Sequence, residues 1–124
     1  LETYFYITDL VIKKDIPNLL IEFEKILSNG FNELDFIIGL ANHFRNLILS
    51  KNKETAPLLE MGLEFEKKYK SCSGKLEINF ILKAIDLITK CELDYKESKN
   101  KRLLIELCLM QITSLLFEEK GKDL

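Results

Sequence analysis

The sequence predicts an all-α fold, a single bundle of about six mostly antiparallel helices, on three observations. Apolar residues recur at intervals of three and four through six stretches, no stretch alternates convincingly at the period of a half-buried strand, and the breaks are short and local. A chain of 124 residues suits one domain, and a buried fraction of roughly 65 to 70% at this size supports a core without disulfides or metal.

The first helix is expected from a Thr3 cap, with Tyr4, Phe5, Ile7, Leu10, Val11 and Ile12 as its apolar set and Lys13 and Lys14 at its C-terminus. Asp15 caps the second, with Pro17 in its first turn and Ile16, Leu19, Leu20, Phe23, Ile26 and Leu27 on one face. Gly30 stops that helix because glycine takes the left-handed conformation without a Cβ clash, and Phe31 can fold back on the last turn. So short a link predicts a hairpin of the second and third helices.

The third helix is capped by Asn32 and carries Phe36, Ile37, Leu40, Ala41, Phe44, Leu47 and Ile48 at helical spacing. Ile38 and Leu49 widen its apolar surface, which leaves Asn42, Arg45 and Asn46 to face water or a partner, so more than one element must pack around it. Thr55 and Pro57 are expected to begin a fourth helix with Leu58, Met61, Gly62, Phe65 and Tyr69 on one face and an exposed Glu64–Lys68 pair on the other. After a break at 71–75, a fifth helix places Ile78, Ile81, Leu82, Ile85, Ile88 and Cys91 on one side, with Phe80, Ala84 and Leu87 beside it.

The last helix starts near Asn100. Leu103, Leu104, Ile105, Leu107, Cys108, Leu109, Met110, Ile112, Leu115, Leu116 and Phe117 surround most of its cylinder, so it must be enclosed by its own bundle or by another chain. The domain is read as 1–119, with 120–124 a charged tail that frays.

Composition narrows function by exclusion. A net charge of −2 gives no global pull toward nucleic acid or anionic lipid, and no apolar run reaches the ~18 residues of a membrane span. Three cysteines, Cys72, Cys91 and Cys108, are widely spaced and set among helical patterns as small apolar residues, which points to a reducing, cytoplasmic compartment. His43 is the sole histidine and is read as a structural or interface residue. Paired-histidine zinc sites and di-metal bundles therefore fall away, and no Gly-rich loop ending in Lys and Ser or Thr offers a phosphate cradle. No catalytic residue, cofactor-binding residue or metal ligand is expected in this chain.

One local rule is broken. Lys99, Lys101 and Arg102 crowd the start of the last helix, where the macrodipole disfavours exposed cations by ~0.3 to 1 kcal/mol each. A carboxylate on another helix or another subunit would compensate, and Glu106, one turn on from Arg102, can take part of the charge. A helical nucleic-acid-binding module using Lys96, Lys99, Lys101 and Arg102, or another protein-interaction module, is the alternative reading, and the basic stripe is narrow for the former.

Several runs carry a resemblance. Thr3-Tyr4-Phe5-Tyr6-Ile7-Thr8-Asp9, Lys14-Asp15-Ile16-Pro17, Gly30-Phe31 and Phe36-Ile37-Ile38-Gly39-Leu40-Ala41-Asn42-His43-Phe44-Arg45-Asn46-Leu47 resemble the C-terminal collar domain of the gamma/tau subunit of bacterial DNA polymerase III. Tyr95-Lys96 and Ser98-Lys99-Asn100-Lys101-Arg102-Leu103-Leu104-Ile105-Glu106 look like the start of that family's last collar helix. The likeness covers nearly the whole chain in order.

The resemblance implies domain III of a clamp-loader subunit, non-catalytic in itself. Its parent would be an AAA+ ATPase subunit of a DNA polymerase holoenzyme, with ATP and Mg held in a separate module. In the family, collars of five subunits form a ring that holds the ATPase modules while they load the sliding clamp on primed DNA. Implied partners are other gamma/tau, delta and delta-prime subunits, or further copies of this chain, with DNA and clamp reached only through other modules and no membrane involved. Arg45, Arg102 and Glu106 are the expected polar determinants of the joints, and Leu103, Leu107 and Met110 the apolar ones.

Overall fold

The computed structural model describes residues 2–122, which form six α-helices and one short 3-10 turn, with no strand among the described residues. The helices are α1 (Glu2–Ile12), α2 (Ile16–Ser28), α3 (Glu33–Leu49), α4 (Leu63–Ser73), α5 (Ile78–Tyr95) and α6 (Lys101–Lys122), and the 3-10 turn spans Ala56–Leu59. The all-helical bundle read from periodicity is therefore present. Thr3 lies inside α1 and not at its cap. The helix of α6 continues to Lys122, and the remainder of the expected 120–124 tail, residues 123–124, lies outside the described residues.

Side chains start the helices where the sequence places caps. Asp15 accepts from the Asn18 amide at 3.1 Å, and Asn32 Oδ1 accepts from the Leu34 and Asp35 amides at 2.8 and 3.2 Å. Asn100 Oδ1 does the same for the Leu103 amide at 3.0 Å at the start of α6. Two corners close by one device, a residue in the left-handed region after the helix with a bond back across the last turn. At Gly30 (φ +97°) the Phe31 amide reaches Ile26 O at 3.3 Å, and at Lys14 (φ +59°) the Asp15 amide reaches Leu10 O at 3.0 Å. Lysine thus occupies a position that glycine would fill without a Cβ penalty.

α3 is the hub. It packs most extensively on α5 and also meets α4, α6 and the 3-10 turn, while Phe36, Ile37, Leu40, Phe44 and Leu47 are fully buried. Asn42 and Arg45 face water as expected, but Asn46 is buried, because the Tyr69 hydroxyl of α4 takes its amide at 3.3 Å. The hairpin expected of α2 and α3 is not a close one. α2 lies along α1 and α6, and it reaches α3 through the rings of Phe23 and Phe36, 5.2 Å apart, whose bulk holds the two axes off.

The fourth helix departs most from expectation. Thr55 does not cap it: its hydroxyl turns back to Leu49 O at 2.6 Å. The chain makes a 3-10 turn through Pro57, passes Glu60 in the left-handed region and enters α4 only after extended Gly62. Leu59 goes into the core in place of Leu58, and Lys68 pairs with Glu2 of α1 and not with Glu64. On α5 the buried face is Phe80, Ile81, Ala84, Ile88 and Cys91, so Ile78 and Leu82, expected inside, are exposed.

Close approach has one clear cause. Gly39 lets Tyr4 lie flat on α3, where the phenol donates to Phe36 O at 3.1 Å, and a Cβ on Gly39 would sit 2.0 Å from the Tyr4 oxygen. Gly39→Ala is therefore expected to cost about 1 to 3 kcal/mol by overpacking, despite a gain of about 1 kcal/mol in helix propensity. Chemical denaturation of the single variant and of the same change in a Tyr4→Ala background checks this. The cost should vanish or reverse once the ring is gone.

Candidate functional site

Two places concentrate side chains of interest: a polar chain buried between α1, α3 and α4, and the outer face of α6 with its α5 neighbour. His43 belongs to the first. It is 1% exposed, with Nε2 2.9 Å from Thr8 Oγ1 and Nδ1 3.0 Å from the Tyr69 hydroxyl. Thr8 spends its one proton on Tyr4 O at 2.8 Å, so it accepts from His43, which fixes the proton on Nε2. Nδ1 then accepts from Tyr69, and Tyr69 accepts from Asn46. A one-way chain results, Asn46 to Tyr69 to His43 to Thr8 to the Tyr4 carbonyl, tying three helices together.

Aromatic rings enclose it. Phe5 meets the imidazole edge-on at 4.9 Å, and Tyr4, Phe44 and Tyr69 lie within 6.0 Å. Burial holds the His43 pKa down at about 3 against an ordinary 6.5, and burial likewise pushes the Tyr4 and Tyr69 phenols up. Both imidazole nitrogens are satisfied inside the chain, so the geometry makes His43 a structural residue. No group of three or more His, Cys, Asp or Glu that could hold a metal occurs among the described residues.

The second place contains most of the residues singled out in the sequence. Arg102 pairs with Glu24 of α2 and lies 3.8 Å from Glu106, so the cation at the start of α6 is compensated within the chain. Both ends of the Arg102–Glu24 pair are about half exposed, and such pairs contribute roughly 0 to 1 kcal/mol. Lys101 lies 5.2 Å over the Tyr95 ring and donates to Ser98 O at 2.9 Å. Two of the four cations of the basic cluster are thus engaged internally, which weakens the nucleic-acid reading.

The apolar residues of α6 divide sharply. Ile105, Cys108, Leu109 and Ile112 are buried, whereas Leu103, Leu107 and Phe117 are 52, 46 and 45% exposed. Leu103, Leu107, half-buried Met110, Ser114 and Phe117 follow each other at spacings of four, three, four and three, which places them on one face of α6. On α5, Leu93 is 75% exposed, beyond Ile78 and Leu82. Sequence reading assigned Leu103, Leu107 and Met110 to a joint, named Phe117 only as part of the apolar cylinder of the last helix, and did not name Leu93. Arg45 is exposed on α3, its Nη1 3.5 Å from Asn46 Oδ1, and no hydrogen bond or ion pair joins it to the α6 group among the described residues.

Comparison with protein-family models, with characterised proteins and with solved structures found no match to this chain. No helix among the described residues is long and apolar enough to cross a membrane.

The buried imidazole sets a pH dependence. Its folded pKa lies below the unfolded one, so its contribution is complete above about pH 6.5. It is lost at about 1.4 kcal/mol per pH unit as pH falls toward 3, because only the unfolded chain takes the proton. Between pH 7 and 5 the chain should lose about 2 kcal/mol more stability than His43→Gln, measured by urea denaturation of both. Equal losses would mean that the folded chain protonates His43. Thr8→Val, which strands the Nε2 proton, is expected to cost about 1 to 3 kcal/mol.

Proposed function

We propose that this chain is an oligomerisation domain of the collar type, part of a clamp-loader subunit similar to bacterial DNA polymerase III gamma/tau. The observation that supports the reading most is the open seam on α6, where Leu103, Leu107 and Phe117 remain exposed although the bundle has already packed the opposite side of the same helix. Solvent-exposed apolar side chains on one helix face are what a neighbouring helix covers. The resemblance of 3–106 to the collar family supplies the identity of the neighbours: other gamma/tau, delta and delta-prime subunits.

In this reading the domain carries no catalysis of its own. ATP and Mg act in an AAA+ module of the parent, in the bacterial cytoplasm, and the collar holds such modules in register during loading of the sliding clamp. Leu103, Leu107 and Met110 form the apolar centre of a joint, with Glu106 and the Arg102–Glu24 pair at its rim and Arg45 serving a second joint from α3. A rim of polar groups around such a centre is the usual anatomy of an interface.

Leu107→Asp tests it. The unaltered chain should show concentration-dependent association in sedimentation velocity, alone or with delta and delta-prime subunits. The variant should weaken that association at least about tenfold, with helical content and unfolding midpoint nearly unchanged because Leu107 is exposed. A chain that stays monomeric at high concentration and binds neither subunit overturns the reading.

A further inference from the structure

Cys91 and Cys108 come from the two arms of the α5–α6 hairpin and meet across it. Cys91 Sγ lies 4.0 Å from Leu104 O, the carbonyl that stands one helical turn before Cys108 on α6. The Cys91 thiol therefore points at the turn that carries Cys108. Both are nearly buried, yet both line one cleft of about 340 Å³ between the helices, together with Leu87, Lys90, Asp94 and Leu107. Cys72 is on α4 and lines a different cleft.

We propose that Cys91 and Cys108 are an oxidisable pair, a modification site at which hydrogen peroxide converts two thiols into an intrachain disulfide across the α5–α6 hairpin. Cys91, whose thiol lies against the first turns of α6, is assigned the attack as its thiolate. Its thiolate takes one oxygen of the peroxide, the O–O bond breaks, and the departing oxygen leaves as water with the thiol proton. Cys108 sulfur then displaces the hydroxyl of the sulfenic acid, its proton leaving with that oxygen as a second water. Two thiols lose two electrons in all, and one peroxide gains them.

The inference is independent of the assembly role. The whole chain is treated with hydrogen peroxide, unfolded, alkylated and weighed. The expected product is monomeric and lighter by about two mass units, with one alkylatable thiol at Cys72 and a peptide linking Cys91 to Cys108. Dithiothreitol should reverse it, and the unfolding midpoint of the oxidised chain should rise by about 5 to 10 °C through closure of a short loop. Cys72→Ser should leave the cross-link intact. Cys91→Ser and Cys108→Ser should each abolish it, while the mass measurement on the unaltered chain stands even where a buried serine weakens folding. Three alkylatable thiols, a sulfinic acid at Cys91 with Cys108 still free, or intermolecular disulfides as the sole product would each overturn the proposal.

Discussion

The fold depends on a constraint at its centre: a polar chain that must be satisfied in one direction only. α3 is surrounded by other elements, and on such a helix an imidazole is costly unless both nitrogens find partners. Thr8 and Tyr69 provide them from α1 and α4, and Asn46 completes the row from α3 itself. A shift of α4 along α3 breaks both Tyr69 bonds, to His43 and Asn46, and a shift of α1 breaks the Thr8–His43 bond. Apolar packing alone tolerates such sliding far better, so the polar row sets the register of the amino-terminal half.

The carboxyl-terminal half is organised by area. α5 lies along α3 and α6 lies along α5, and apart from Phe80 the buried residues of both are aliphatic or small. Lys51 joins the halves, its ammonium donating to Ser73 O at 2.7 Å and Leu76 O at 2.6 Å, so that the end of α3 holds the α4–α5 corner. Ser73 Oγ returns a bond to Leu47 O at 2.8 Å. These contacts satisfy carbonyls at a helix C-terminus that water would otherwise have to serve. The consequence for function is a rigid platform: α6 is held from beneath by α5 and from the side by α2, so that its outer seam is presented in a fixed geometry.

Much of this was legible in the sequence. Asp15, Asn32 and Gly30 mark helix ends by local chemistry alone, and α2, α3, α5 and α6 fall where periodicity puts them. The failures share a cause. Whether Leu58 or Leu59 is inside, or whether Lys68 meets Glu64 or Glu2, is decided by neighbours distant in the chain. A period places a stripe on a helix but does not say which side of the stripe the rest of the protein will cover, and Ile78 and Leu82 on α5 are the plainest instance. His43 could be read as structural, but its partners Thr8 and Tyr69 sit 35 and 26 residues away, and nothing local names them. On the candidate surface, Leu103 and Leu107 were recoverable because α6 has more apolar residues than one face can use. Arg102 looked misplaced until Glu24 arrived from α2.

The segment between α3 and α4 has a further meaning. Residues 52–54 are exposed, and the link is pinned to the body by Lys51, Leu59 and the Thr55 hydroxyl. The two pieces on either side of it, α1 to α3 and α4 to α6, share the broadest helix contact in the molecule, that of α3 with α5. A chain severed at 52–54 would therefore yield complementary fragments able to recombine, and a peptide tag spliced there would ride outside the body of the protein.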